Sequence, residues 1–384
     1  MKWLFLQLLF IASFLSTCSL SNNPSIPSGD DIIRNWDYFP SDANQFQYSG
    51  RIDFSVPGKA VFSLPAVKIC FRFTGSDIAV HLKDLSSGGI QADGTPARNY
   101  FNIYIDTENP FKLGLAPNDT IYLIASGLAK KEHFITLVKR TEALAGKVEF
   151  RGAWLNRGAR LLNPPEKPSR KIEIIGNSIT CGYGVEAGSQ NDHFGCSTEN
   201  VCDSYASLAA EALGAEFHIV AYSGRGVAQN YNCSRENTMP EVWKQIFPDE
   251  PQPEWDYSRF IPDITVINLG TNDFNCGETD TALFRSEYAK FLGEVRKAYS
   301  ATKIVCITGP MLNDNYPENS LTTICYLIQS VINQQIKNGD RNLYFFELSP
   351  QTGVLDYGAD WHPSEKQQRR NALELTKYLS SYFE

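Results

Sequence analysis

The chain has little of what several common functions require. Basic residues are no surplus: 35 Lys and Arg stand against 43 Asp and Glu, a formal net charge of −8. A nucleic-acid partner, which needs clustered positive charge, is therefore not expected. Histidine is scarce, at five in 384 residues, so few side chains can serve as a base near neutral pH. No zinc-ligand spacing is present: His193, Cys196 and Cys202 come nearest and match no metal pattern, so neither metal nor organic cofactor is expected. No internal repeat appears, and no apolar run is long enough to cross a bilayer.

The apolar run that does occur is N-terminal. "MKWLFLQLLFIASFLSTCSL" carries one lysine and then apolar residues from Trp3 to Leu15, which reads as a signal peptide over residues 1–17. Leu15-Ser16-Thr17-Cys18 resembles a bacterial lipobox, so Cys18 is the expected lipidation site, with plain secretion as the alternative. Residues 18–33 are polar and suit a tether. The expectation is export, as a lipoprotein of the periplasm or cell surface, touching the membrane only through that anchor. Of nine cysteines, Cys181, Cys196, Cys202, Cys233 and Cys276 fall in loop-like sequence where oxidation would pair some of them. Cys70, Cys306 and Cys325 lie in apolar runs and read as buried thiols.

Apolar content of 42% and 12% aromatics indicate a folded chain, and its length favours two domains. Residues 34–165 read as an all-β sandwich: short alternating segments such as "VKICFRF", "DIAVHLK" and "HFITLVKR" are separated by turn formers, with no long helix. Three prolines in "LLNPPEKPSRK" mark the boundary. From residue 170 to 384 the pattern becomes strand and helix in alternation. "IEIIG", "FHIVAYSG", "ITVINLG", "KIVCITGP" and "LYFFEL" are apolar on both faces, as in a parallel three-layer α/β/α sheet. Ligands in such sheets bind beyond the carboxyl ends of the strands.

Four of those ends carry reactive or donor groups. "GNSIT" presents Ser178 at a tight strand-to-helix turn, where a helix-capping serine is the plainer reading. "AYSGRGV" offers main-chain N–H groups at Gly224 and Gly226. "NLGTNDF" offers the Asn272 amide. "DYGADWHPS" places His362 before the last helix, while His81, His133, His193 and His218 read as structural. No serine lies in a G-x-S-x-G pattern, so the nucleophile elbow of the α/β-hydrolases is excluded.

In order and position these blocks resemble the SGNH, or GDSL-type, hydrolases, with a flavodoxin-like α/β/α fold. The resemblance implies that Ser178 is the nucleophile and His362 its base, and that Ser178, Gly224 and Asn272 form the oxyanion hole. An imidazole with an ordinary pKa near ~6.5 can take the serine proton and return it to a leaving alcohol. Removing one oxyanion donor typically costs roughly 2.7–4 kcal/mol. An aspartate three residues before the histidine usually completes the triad, but that position is Ala359. Either Asp360 orients the ring, or a backbone carbonyl does and the pair works as a dyad.

A sandwich preceding such a domain is similar to carbohydrate esterase family two, which carries a jelly roll before the hydrolase; "HFITLVKRTEA", "GNSITCGYG" and "DWHPS" support the likeness. It implies removal of acetyl groups from plant polysaccharides such as xylan and glucomannan, favouring sugar 6-hydroxyls. It also implies an acetylated poly- or oligosaccharide as partner and Trp361 as a stacking platform for a sugar ring, against a core tryptophan. A lipase, an acyltransferase and a catalytically dead carbohydrate-binding protein are the competing readings.

Overall fold

The computed structural model describes residues 29–383 apart from 87, 108, 118, 278 and 316. The signal peptide, Cys18 and most of the tether lie outside the described residues. The helix Gly29–Asn35 begins inside the stretch read as tether and buries Ile32.

Two antiparallel sheets face each other across an aromatic core. One runs Trp36–Pro40, Lys147–Asn156, Ile78–Leu85, Asp119–Ala125, with Ala60–Phe62 also on the long second strand. The other runs Arg160–Leu162, Lys68–Gly75, Lys131–Lys139, Tyr100–Ile105, Phe111–Gly114, with Gln47–Ser49 on Lys68–Gly75. Alternation does the sorting: in Lys68–Gly75, Ile69, Phe71 and Phe73 point inward, where they meet Phe62, Phe101 and Phe150. This is a β-sandwich.

The second half forms one parallel sheet of five strands: β1 (Lys171–Gly176), β2 (Glu216–Ala221), β3 (Ile264–Asn268), β4 (Lys303–Thr308) and β5 (Leu343–Glu347). Their order in space is β2-β1-β3-β4-β5, the flavodoxin-like doubly wound arrangement. Helices numbered from Ser178 are α1 (Ser178–Cys181), α2 (Tyr205–Ala212), α3 (Met239–Val242), α4 (Thr281–Ala298), α5 (Ser320–Lys337) and α6 (Glu365–Ser380). Ile175, Ile267 and Cys306 turn to one face, against α4 and α5; Ile174, Val266 and Ile307 turn to the other, against α2 and α6. β1 to β4 are thus buried on both sides, while the edge strand β5 is mostly half-buried.

Strand order decides where the site lies. β1 pairs with both β2 and β3, with Gly176 opposite Ala221 and Ile175 opposite Ile267. The chains leaving these three strands therefore emerge side by side at the point where the winding reverses. Ser178, Gly224 and Asn272 follow those three ends.

Candidate active site

Ser178 opens α1 directly after β1. Asn177 caps the helix by accepting from the Ile179 N–H, and the first-turn N–H of Ser178 stands outside the intrahelical ladder. Gly184 then takes φ +55°, and a Cβ there would lie 2.3 Å from the Ala359 Cβ. Only glycine lets the serine loop approach the histidine loop this closely, and the Ala359 N–H donates to the Gly184 carbonyl at 3.1 Å.

That contact places the two reactive groups together. The Ser178 hydroxyl lies 2.8 Å from His362 Nε2. On the other side of the ring, Nδ1 faces only carbonyl oxygens, Ala359 at 3.1 Å and Asp360 at 3.2 Å. A carbonyl can only accept, so Nδ1 carries the proton and Nε2 keeps the lone pair that accepts from serine. Desolvation holds the imidazole down at about 4, against a smaller upward pull from the two carbonyls and the Asp360 charge. The ring is therefore neutral at neutral pH.

The Asp360 carboxylate is turned away from His362. It accepts from Tyr183 Oη at 2.8 Å, the Phe194 N–H at 3.0 Å and His193 Nδ1 at 2.9 Å. These bonds hold it below the usual carboxylate range in spite of partial burial. Asp360 and Trp361 both take positive φ, +48° and +63°, and this tight turn points the main-chain oxygens, not the side chain, at the imidazole. Of the two arrangements expected for the ring, the carbonyl-supported one is present.

Gly224, at φ +76°, and Asn272 flank Ser178 in an open cleft of about 1000 Å³. Asn272 Nδ2 donates to the Arg225 carbonyl at 2.8 Å, which aims its amide across the glycine loop. Trp361 is 55% exposed at the cleft rim, edge-on to Tyr357. It is not a core tryptophan.

Two further residues complete the site. Tyr183 stacks on His362 with ring centroids 3.9 Å apart and on Phe194 at 4.3 Å, fixing the plane of the imidazole. Asp273 is buried and accepts three successive N–H groups, from Val227, Ala228 and Gln229, at 2.9, 2.7 and 2.9 Å. It gathers the loop after Gly224; a Cβ at Gly226 would lie 2.6 Å from its Oδ2. The adjacency of Asp273 to Asn272 was the available signal. Nothing in sequence distinguishes the role of Tyr183 from that of the other seventeen tyrosines.

Cys233 and Cys276 form a disulfide, while Cys70, Cys181, Cys196, Cys202, Cys306 and Cys325 are free. The bridge ties the loop after Gly224 to the loop after Asn272. Among the described residues, one group brings potential metal donors within 4.8 Å of one another: Glu142, Cys181 and Glu199, all buried. Lys139 is buried beside them, its charge acting on both carboxyls. His193 and Cys196 are engaged elsewhere, with Asp360 and Gln91.

Residues 48–165 match the family model described as carbohydrate esterase 2 N-terminal, and residues 174–370 match the GDSL-like lipase/acylhydrolase family. The cellulase/esterase CelE of Acetivibrio thermocellus is 35% identical over 336 residues, covering 87% of this chain; the chain spans 39% of that protein's length. An acetylxylan esterase / glucomannan deacetylase of Cellvibrio japonicus is 28% identical over 386 residues, 99% of this chain and 98% of the relative. A family two carbohydrate esterase from Clostridium thermocellum, solved in complex with cellohexaose, is similar with a TM-score of 0.81 and 33% identity, over 88% of this chain and 99% of that one. Two matched domains in this order, over nearly the whole described chain, show that it belongs to carbohydrate esterase family two and is a carboxylic ester hydrolase.

Proposed function

We propose that the chain removes O-acetyl groups from plant polysaccharides, xylan or glucomannan, with sugar 6-O-acetyl as the preferred ester, through a serine acyl-enzyme. The observation that carries this is the 2.8 Å Ser178–His362 hydrogen bond at the floor of an open cleft. The names of the Cellvibrio japonicus relatives supply the substrate class, and the exposed Trp361 at the rim suits a sugar face.

Ser178 Oγ attacks the acetyl carbonyl as its proton passes to His362 Nε2. The tetrahedral oxyanion is met by the N–H groups of Ser178 and Gly224 and by the Asn272 amide. His362 returns the proton to the departing sugar oxygen, and a water, activated by the same nitrogen, releases acetate. Every step uses protein groups and water.

The test is acetate release from acetylated xylan and acetylated glucomannan, with Ser178→Ala as the comparison. Loss of about 10⁴-fold or more in kcat is expected for the variant. Equal release by both proteins would overturn the mechanism, and glycan retention without any release would make the chain a binding protein.

Export with a lipid at Cys18 is part of the same proposal. The Cys233–Cys276 disulfide supports an oxidising compartment. Mass analysis of the mature N-terminus would show diacylglyceryl-modified Cys18; an unmodified terminus elsewhere would discard the anchor.

A further inference from the structure

The loop carrying Gly224 is held from two sides, and one of the holders belongs to the other domain. Asp273 gathers the residues that follow Gly224. The residue before it, Ser223, donates its N–H to Glu142 Oε2 at 2.7 Å and its hydroxyl to Glu142 Oε1. Glu142 lies in the sandwich, just after the strand Lys131–Lys139, and is completely buried.

A buried carboxylate is costly unless its oxygens are satisfied and its charge compensated. Both conditions are met. The two donors of Ser223 occupy its oxygens. The buried ammonium of Lys139 donates to the carbonyls of Thr141 and Glu142, at 2.6 and 2.9 Å, and sets a positive charge against the turn. Glu199, also completely buried, accepts from the Glu142 N–H at 2.9 Å. Burial pushes both carboxyls up, Glu199 further. Geometry separates the two: both Glu142 oxygens accept from Ser223, whereas Glu199 Oε1 has no hydrogen-bond partner among the described residues.

Mere adhesion between domains would not need this arrangement. The N–H of Gly224 sits on the peptide bond that begins at Ser223, so two hydrogen bonds to Ser223 fix where that donor points. Leu144, two residues beyond Glu142, itself lines the cleft. We propose that Glu142 is a positioning residue for the esterase reaction: the sandwich sets the oxyanion donor at Gly224 and forms one wall of the active site. This rests on the reading of Gly224 as an oxyanion donor.

The experiment compares kcat and KM of the parent, Glu142→Gln, Ser223→Ala and Ser178→Ala with 4-nitrophenyl acetate, alongside circular dichroism and thermal melts. Glutamine keeps the volume but cannot accept from both Ser223 donors with one oxygen as a carboxylate does. Glu142→Gln is expected to lose about ten- to a hundredfold in kcat with KM within about twofold, because a displaced oxyanion donor weakens the transition state and not the ground state. Ser223→Ala keeps the N–H bond and is expected to lose about three- to tenfold. A folded Glu142→Gln with kcat within twofold of the parent, or with its whole loss in KM, overturns the proposal. If Glu142→Gln does not fold, Ser223→Ala decides: kcat within twofold of the parent overturns it. An active Ser178→Ala would sink the nucleophile assignment instead, whereas an inactive one beside an unimpaired Glu142→Gln sinks only the role of Glu142.

Discussion

At His362, two carbonyl oxygens stand where a carboxylate completes the triad in related hydrolases. Carbonyls fix the tautomer as well as a carboxylate does; what they lack is the full charge that steadies an imidazolium. Since desolvation holds His362 at about 4, its base form persists through mildly acid conditions and disappears as pH falls through that value. The acid limb of kcat/KM against pH is expected near 4, and Asp360→Asn should retain that limb while losing less than about tenfold in kcat. A limb between pH 6 and 7 would show that water reaches the imidazole, and a loss of several orders of magnitude in Asp360→Asn would contradict the dyad. Asp360 could not be placed from its spacing alone, because the direction of its side chain follows from two successive left-handed residues and from the acceptor demand of Tyr183, His193 and Phe194.

Among the elements, the loops leaving β2 and β3 act as a pair. The Cys233–Cys276 bridge joins them across a sequence separation of 43. In the chain-entropy account a closure of that size contributes about 4 kcal/mol at most. The double variant Cys233→Ser/Cys276→Ser is therefore expected to lose roughly 2–4 kcal/mol in denaturant unfolding, with a lower kcat because Gly224 and Asn272 are less firmly related. An unchanged midpoint would show that the loops hold each other without it. The five parallel strands were legible as runs apolar on both faces. The strands Trp36–Pro40 and Phe111–Gly114 were not, since they lie at the sandwich edges with mostly exposed or half-exposed side chains and no clean alternation. "MPEVWKQIF" reads as a longer helix than α3, which ends at Val242.

Across the whole molecule, the sandwich and the hydrolase domain are joined by buried polar groups as well as by apolar contact. Arg51 of the sandwich has its guanidinium 3.1 Å from Glu173 Oε2 on β1, and both side chains are completely buried. Trp243 Nε1 and Tyr299 Oη donate to the same carboxylate, at 2.8 and 3.2 Å. Removing one partner would leave a charge stranded without water. Arg51→Ala is expected to cost about 3–5 kcal/mol of unfolding free energy, read by denaturant titration or calorimetry; a loss below about 1 kcal/mol would show that water reaches Glu173. Glu173 lies in the apolar segment of β1 and Glu142 follows Lys139 and Arg140, and the role of neither is evident from the sequence. Their partners lie 122 and 81 residues away, beyond what local pattern can reveal.

Sequence alone determined two domain grammars, the parallel sheet and the candidate groups Ser178, Gly224, Asn272 and His362, because hydrophobic period and turn chemistry are local properties. Tertiary structure decided which groups meet. The β2-β1-β3 order aligned three strand ends, the close approach at Gly184 brought His362 to Ser178, and the domain interface set Glu142 against Ser223. Side-chain direction and long-range pairing depend on packing across the folded chain, and that information resides in no single segment.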